Sequence, residues 1–180
     1  MKIFIDLGAY TGDTIKLAKQ KFKDLDKFIG FEPVPRFFEI AQKRFANDKR
    51  VELYQLAAST KHKENEKFYI SRLKGSSLLS SKNNIKLNEY ILITTIDFSE
   101  FIKEKCSLND DIILKVDIEG EEYNLFEHLI DNDTIKYFKK IYCDWHYTKT
   151  DVPKQRHKDV VNKLVALGFD MTGNNEYDAF

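Results

Sequence analysis

Strand and helix signals alternate along the 180 residues of this chain, and that alternation predicts an α/β fold: a doubly wound, mostly parallel sheet with helices on both faces. Two further observations support it. Residues 111–118 carry Ile112, Ile113, Leu114 and Val116 in a nearly continuous apolar run, the pattern of a strand buried on both faces. A glycine-bearing turn at 8–12 joins the first strand to the first helix. Right-handed crossovers then place the functional loops at the carboxyl ends of the strands.

The elements follow in order. Residues 2–7 read as a short apolar strand that carries Asp6 near its end, and residues 11–22 as a helix with Ile15, Ala18 and Phe22 on one face. Residues 27–31 form the second strand, closed by Glu32 and Pro33. Pro35 suits the first turn of the next helix, whose apolar stripe is Phe38, Ala41 and Phe45. Residues 51–56 alternate enough for a third strand. Residues 61–67 read as a charged turn, with a short strand at 68–70. The Ser/Asn/Lys-rich stretch 75–84 is expected to be a mobile loop near a site, and 61–90 as a whole reads as an insertion.

Residues 91–96 are β-branched and strand-like, and Asp97 is placed to cap a helix over 99–105. After the strand at 111–118 comes a helix at 121–130 with Tyr123, Phe126 and Ile130 on one face, then a strand at 138–145. A helix at 159–167 turns Val161, Leu164 and Val165 inward and ends at Gly168. Residues 169–180 leave room for one more strand. No internal repeat or domain boundary is visible, so 1–180 reads as one domain.

Composition narrows the function. Hydrophobic residues at 42% and charged residues at 32% are those of a globular protein. Lys+Arg and Asp+Glu both number 29, so no global field attracts nucleic acid, which is not expected as the partner. No apolar run approaches the ~20 residues of a membrane span, and the amino-terminal apolar stretch lacks the length and cleavage site of a signal peptide. Cys106 and Cys143 are not at metal-ligand spacing and read as reduced thiols. A cytoplasmic location without a membrane partner is the expectation.

The strongest local signal is Asp6-Leu7-Gly8-Ala9-Tyr10-Thr11-Gly12. Glycines there let the backbone approach a ligand closely. A dinucleotide fingerprint is not met, because Tyr10 and Thr11 crowd the pyrophosphate position and Asp6 repels phosphate. The P-loop pattern is absent. S-adenosyl-L-methionine suits the turn better: its sulfonium and ammonium favour a carboxylate, and its own carboxylate suits a helix amino end. Glu32, 24 residues beyond Gly8, is placed to accept hydrogen bonds from both ribose hydroxyls. A plain strand-turn-helix with an acid at each strand end is the alternative.

These segments, with Gly30-Phe31-Glu32-Pro33, Ala57-Ala58-Ser59, Gly75-Ser76-Ser77-Leu78, Thr95-Ile96-Asp97 and Lys115-Val116-Asp117-Ile118-Glu119-Gly120-Glu121-Glu122, occur in one order over most of residues 2–146. In that order the chain resembles the FkbM-type methyltransferases. The resemblance implies a Rossmann-like, class I methyltransferase-like domain and methyl transfer from S-adenosyl-L-methionine, often to an oxygen of a sugar or other small molecule. It implies Asp6, Gly8, Gly12 and Glu32 as cofactor contacts, together with Ala9, Tyr10, Thr11, Thr14 and Pro33 around them. Ala58 and Ser59 would border the adenine, and Ser77, with Ser76, would close over the cofactor. Two departures leave the acceptor pocket under-specified: the first strand begins at residue 2, and the chain is short after Gly168. A second copy or a partner chain is one way to complete it.

At the next strand ends, Asp117, Glu119 and His146 are the catalytic candidates. An alcohol acceptor must lose its proton, and imidazole titrates where such a base is needed. His146 is read as base or acceptor ligand, Asp117 as orienting the acceptor or the methionine ammonium, and Glu119 as the alternative base. The competing readings are an Asp117–Lys115 pair, Glu119 as a helix amino-terminal charge, and His146 as a satisfied loop histidine. A metal on Asp117, Asp144 and His146 is not expected to be required. His62, His128 and His157 are expected at the surface. Two other functions stay open: a non-catalytic S-adenosyl-L-methionine-binding or accessory protein, and an RNA 2′-O-methyltransferase with phosphate contacts from Lys61, Lys63, Lys67, Lys74, Lys82 and Lys86. A solvated lysine-rich loop is the simpler account of those lysines.

Overall fold

The computed structural model describes residues 1–71, 75–83 and 85–171. Along the chain lie β1 (Lys2–Leu7), α1 (Asp13–Lys21), β2 (Lys27–Phe31), α2 (Pro35–Arg44), β3 (Val51–Tyr54), β4 (Ala57–Tyr69) and β5 (Tyr90–Asp97). There follow α3 (Phe98–Lys105), β6 (Asp111–Val116), α4 (Glu122–Asp131), β7 (Phe138–Cys143) and α5 (Lys154–Ala166), with 3-10 turns at Ile135–Tyr137 and Tyr147–Lys149. Five strands form one parallel sheet in the order β3-β2-β1-β6-β7. The chain builds outward from β1 in one direction to β3 and in the other through β6 to β7. The crevice at the carboxyl ends of β1 and β6 is therefore a topological switch point.

The two-residue period of the strands sorts their side chains between two layers. Ile3, Ile5 and Leu7 of β1 join Ile112, Leu114 and Val116 of β6 in a core with Phe98, Ile102, Tyr123, Phe126 and Leu164. Phe4 points the other way, into a core with Ile15 and Ala18 of α1 and Phe28 of β2. Both central strands are thus covered on both faces, which is why they read as apolar runs.

Several local expectations hold. Asp97 accepts the Glu100 N–H at the start of α3. At the end of α5, Gly168 N–H bonds the Val165 carbonyl and Phe169 N–H bonds that of Leu164, closing the helix as its glycine predicts.

Others are corrected. Residues 61–67 are the middle of β4, which pairs antiparallel with β5 through several register shifts. Most side chains there face solvent, so no apolar alternation marks the strand, and Asn65 at φ 57° sits in an irregular stretch. Helix α5 starts behind Pro153, five residues earlier than expected, and its buried residues are Val160 and Leu164. Val165, expected inside, is 51% exposed; the helix is turned by one residue relative to the predicted stripe. β3 stops at Tyr54 and β7 at Cys143, because the chain leaves the sheet there to build the site. His157 is not a plain surface residue. It stacks on Tyr147 with ring centroids 4.4 Å apart, and its Nδ1 lies 3.2 Å from the Tyr123 hydroxyl. His128 lies 2.9 Å from Asp97. The strand expected after 168 falls mostly on residues 172–180, outside the described residues. Among the described residues no helix is long and apolar enough to cross a membrane.

Candidate active site

A cavity of about 540 Å³ opens at the carboxyl ends of β1, β2 and β6, lined also by Ala57, Ala58 and Phe68 of β4 and by Gly75, Ser76 and Leu78. That volume lies within the usual range of small-molecule sites, roughly 300–1,000 Å³. Its wall includes the turn after β1 with Glu32, Ala57, Ala58 and Phe68, and it also carries Asp117, Glu119, Asp144 and His146.

The turn after β1 explains its glycines differently from the sequence. Gly8 has φ +83°, and a Cβ there would stand 2.0 Å from the Asp117 carbonyl oxygen. Its lack of a side chain admits the end of β6, although Gly8 also lines the cavity. A Cβ on Gly12 would stand 2.5 Å from the Phe45 ring, so Gly12 serves the packing of α1 on the end of α2 and stays out of the cavity wall. Ala9, Tyr10 and Thr14 do line it. Thr11 does not; its hydroxyl donates to Asp13 at 2.7 Å.

Glu32 ties this turn to the end of β2. Its Oε2 accepts the Tyr10 N–H at 2.9 Å and its Oε1 accepts the Val34 N–H at 2.8 Å. The side chain is 6% exposed and faces the cavity beside Pro33. Burial pushes its carboxyl up to about 7, against the pull of those two N–H groups. The Tyr10 ring packs on Phe37, with centroids 4.1 Å apart.

Asp6, expected as a cofactor contact, lies beneath the turn instead. It is completely buried, 3.1 Å from Lys115 Nζ, and is not part of the cavity wall. The register decides this: Asp6 and Lys115 are direct partners across β1 and β6, on the same face of the sheet. Lys115 also reaches Asp117 at 3.6 Å and donates to the Gly8 carbonyl at 3.4 Å, so the Asp117–Lys115 pair of the competing reading is present. Ala58 lines the cavity, whereas Ser59 borders a smaller polar groove. Ser77, expected to close over a cofactor, is buried; its hydroxyl donates to the Glu119 carbonyl at 2.7 Å and accepts the Leu79 N–H.

His146 is brought in by the chain leaving β7 and is 1% exposed. Its Nδ1 is 2.9 Å from Glu122 Oε1, and that carboxylate oxygen also accepts the Gly120 N–H at 2.9 Å. A carboxylate accepts only, so Nδ1, the ring nitrogen in hydrogen-bond geometry with one, is assigned the hydrogen of the neutral ring, and Nε2 is the nitrogen that titrates. Nε2 lies 3.2 Å from Glu119, 3.6 Å from Asp144 and 3.8 Å from Asp117. Burial favours the neutral ring, but Glu122, Glu119 and Asp117 outweigh it and raise its pKa above 6.5. Ligand atoms of Asp117, Glu119 and His146 lie within 4.8 Å of one another, close enough for a cation to bridge. The positive charge at Glu119 in this structure is the ammonium of Lys82.

Of the six lysines weighed for RNA contact, Lys82 is therefore buried in the site. Lys63 and Lys86 pair with Glu66 and Glu89, Lys67 lies over the Tyr90 ring, and Lys74 is outside the described residues.

A central parallel sheet with a switch-point cavity, an acid after β2 and a buried histidine after β7 define a Rossmann-like fold of the class I methyltransferase type. A family model described as the methyltransferase FkbM domain matches residues 6–171, and the chain belongs to that family. Among solved structures it is similar to the methyltransferase FkbM from Methylobacillus flagellatus KT, with a TM-score of 0.59 and 13% identity over 92% of this chain. The match takes in 37% of that chain, so this protein spans little more than a third of its length. A looser likeness, with a TM-score of 0.47 and 11% identity, is to the N-terminal domain of human METTL16 in complex with SAH, over 97% of this chain and 58% of that one. No curated protein matches the chain.

Sequence reasoning missed four contributors. Glu122 was legible only as an acid opening a helix, and nothing local linked it to His146, 24 residues on. Lys82 looked like its neighbour Lys86. Phe37 and Phe68 reach the cavity from α2 and β4 without any motif.

Proposed function

We propose that the chain is an S-adenosyl-L-methionine-dependent methyltransferase acting on a hydroxyl oxygen of a sugar or another small-molecule acceptor. The cofactor, when bound, supplies a methyl group already activated on a sulfonium. The residues present fit it. Each Glu32 oxygen accepts one backbone N–H and keeps a lone pair for a ribose hydroxyl. Ala57 and Ala58 give the nucleoside end a wall of small side chains, and Asp117 places a carboxylate where a methionine ammonium or an acceptor hydroxyl is to be held.

The protein's tasks are then alignment, exclusion of water and removal of one proton. Alignment of the reactants supplies up to ~7–11 kcal/mol of a barrier. His146 takes the acceptor's proton on Nε2, while Glu122 holds the Nδ1 hydrogen and stabilises the imidazolium that forms. Asp117 orients the acceptor. Glu119, the other candidate base, is engaged by Lys82. The observation that carries this reading is the buried His146 fixed on Glu122, with its second nitrogen turned to the carboxyl end of β6. The test is calorimetry with S-adenosyl-L-methionine, followed by mass-spectrometric detection of S-adenosylhomocysteine formed with a panel of sugars and phenols. Binding with acceptor-dependent product is expected; a wild-type protein that does not bind the cofactor ends the reading.

A further inference from the structure

Lys82 has no assigned part in the site, yet its side chain is fully buried in it. The ammonium donates to the Gly75 carbonyl at 2.5 Å and pairs with Glu119 Oε2. The segment that delivers it is fastened at separate points. Ser77 exchanges backbone bonds with Tyr69 at 2.8 and 3.0 Å, and its hydroxyl holds the Glu119 carbonyl. Ser81 donates to Asp151 at 2.7 Å, and Asn83 N–H bonds the Lys149 carbonyl at 2.9 Å. Glu119 itself is held at φ 57°, where its side chain meets both the ammonium and the imidazole. One carboxylate oxygen is thus shared between Lys82 Nζ and His146 Nε2.

We propose that Lys82 is a positioning residue for the His146 base: its ammonium holds the Glu119 carboxylate and takes up its charge, leaving His146 Nε2 available to an acceptor proton. The proposal rests on the reading of His146 as the base. The charged groups around the imidazole make the need for such a cation plain. Glu122 faces Nδ1; Glu119, Asp117 and Asp144 surround Nε2. Against these stand Lys115, which is shared with the buried Asp6, Lys149 at the cavity wall, and Lys82. Without Lys82 an unmatched Glu119 would bind the imidazolium and keep the proton on it. Burial of the ammonium outweighs the pairing with Glu119 and holds the Lys82 pKa below the ordinary lysine value, so the pairing offsets the desolvation cost only in part. The same contact makes residues 75–83 part of the base's environment, although they are far from it in sequence.

The experiment is an NMR titration of the ligand-free full chain labelled in histidine. There are four histidines, and the His146 signal is identified by its loss in His146→Gln. Lys82→Met is expected to raise the His146 midpoint by roughly one pH unit, and Lys82→Arg to leave it within ~0.3 unit of wild type. Glu119→Gln is expected to lower it, and Lys82→Met with Glu119→Gln to bring it back toward the Glu119→Gln value. An unmoved midpoint in a folded Lys82→Met protein overturns the proposal. If Lys82→Met does not fold, Glu119→Gln decides alone, and an unmoved midpoint there overturns it as well. Neither cofactor nor acceptor enters the measurement, so its failure is distinct from a failure of the methyl-transfer reading, which the calorimetry tests.

Discussion

Replacing Glu32 with Gln keeps the side chain's shape and removes its charge and one acceptor. In the wild type the two oxygens accept from Tyr10 and Val34 at 2.9 and 2.8 Å, so a Gln must turn its NH₂ toward one of those N–H groups. Hydrogen bonds to a charged group contribute roughly 1.5–3 kcal/mol each. If Glu32 holds the ribose as proposed, losing one contact and weakening the other would cost about 2–4 kcal/mol of cofactor binding, a rise in Kd of roughly 30- to 900-fold. The pH dependence gives a sharper test. With the carboxyl at about 7 in the ligand-free protein, the ionised fraction climbs from ~0.09 at pH 6 to ~0.91 at pH 8. If the carboxylate is the binding form, wild-type affinity strengthens about tenfold over that interval. Glu32→Gln has no such group, and the cofactor's own ammonium titrates alike for both proteins. Isothermal calorimetry at pH 6, 7 and 8 reads both effects. Equal pH slopes for the two proteins, or a Gln variant that binds within threefold of wild type, would refute the reasoning.

Three further outcomes follow from the same geometry. His146→Gln should retain cofactor affinity and lose about 10²–10⁴-fold in turnover. Because its carboxylates raise the His146 pKa, wild-type kcat/KM for the acceptor, measured with the cofactor saturating so that Glu32 no longer contributes, should climb with pH through a value above 6.5, and that limb should vanish in the variant. Lys115→Met leaves Asp6 buried without the cation now 3.1 Å away, and denaturant melts should show a loss of about 3–5 kcal/mol; a loss below ~1 kcal/mol would deny that the pair matters to the fold. Gly8→Ala drives a Cβ toward the Asp117 carbonyl at a positive φ, and should cost at least ~2 kcal/mol in the same assay; a neutral effect would show that the β1–β6 crevice yields easily.

What could be read from the sequence was what neighbours along the chain enforce. The apolar runs of β1 and β6 announce strands covered on both faces, because burial on both sides removes the need for polar alternation. Asp97 as a cap and Gly168 as a helix end depend on bonds that span a few residues. Glu32 was placed correctly at the end of β2 because strand, acid and Pro33 are contiguous. The middle of β4 escaped because a strand exposed along its charged stretch carries no hydrophobic period, and α5 was misphased because valine occupies both an inward and an outward position.

The sequence alone therefore determined the class of fold, the switch-point turn and the acid after β2, all products of local pattern. Tertiary structure decided which charges face the cavity. The β1–β6 register sends Asp6 down to Lys115, the departure from β7 carries His146 to Glu122, and the segment after β4 buries Lys82 on Glu119. Each of those pairs joins residues far apart in the chain, and a charge finds its partner through strand register and loop closure, which no short stretch of residues encodes.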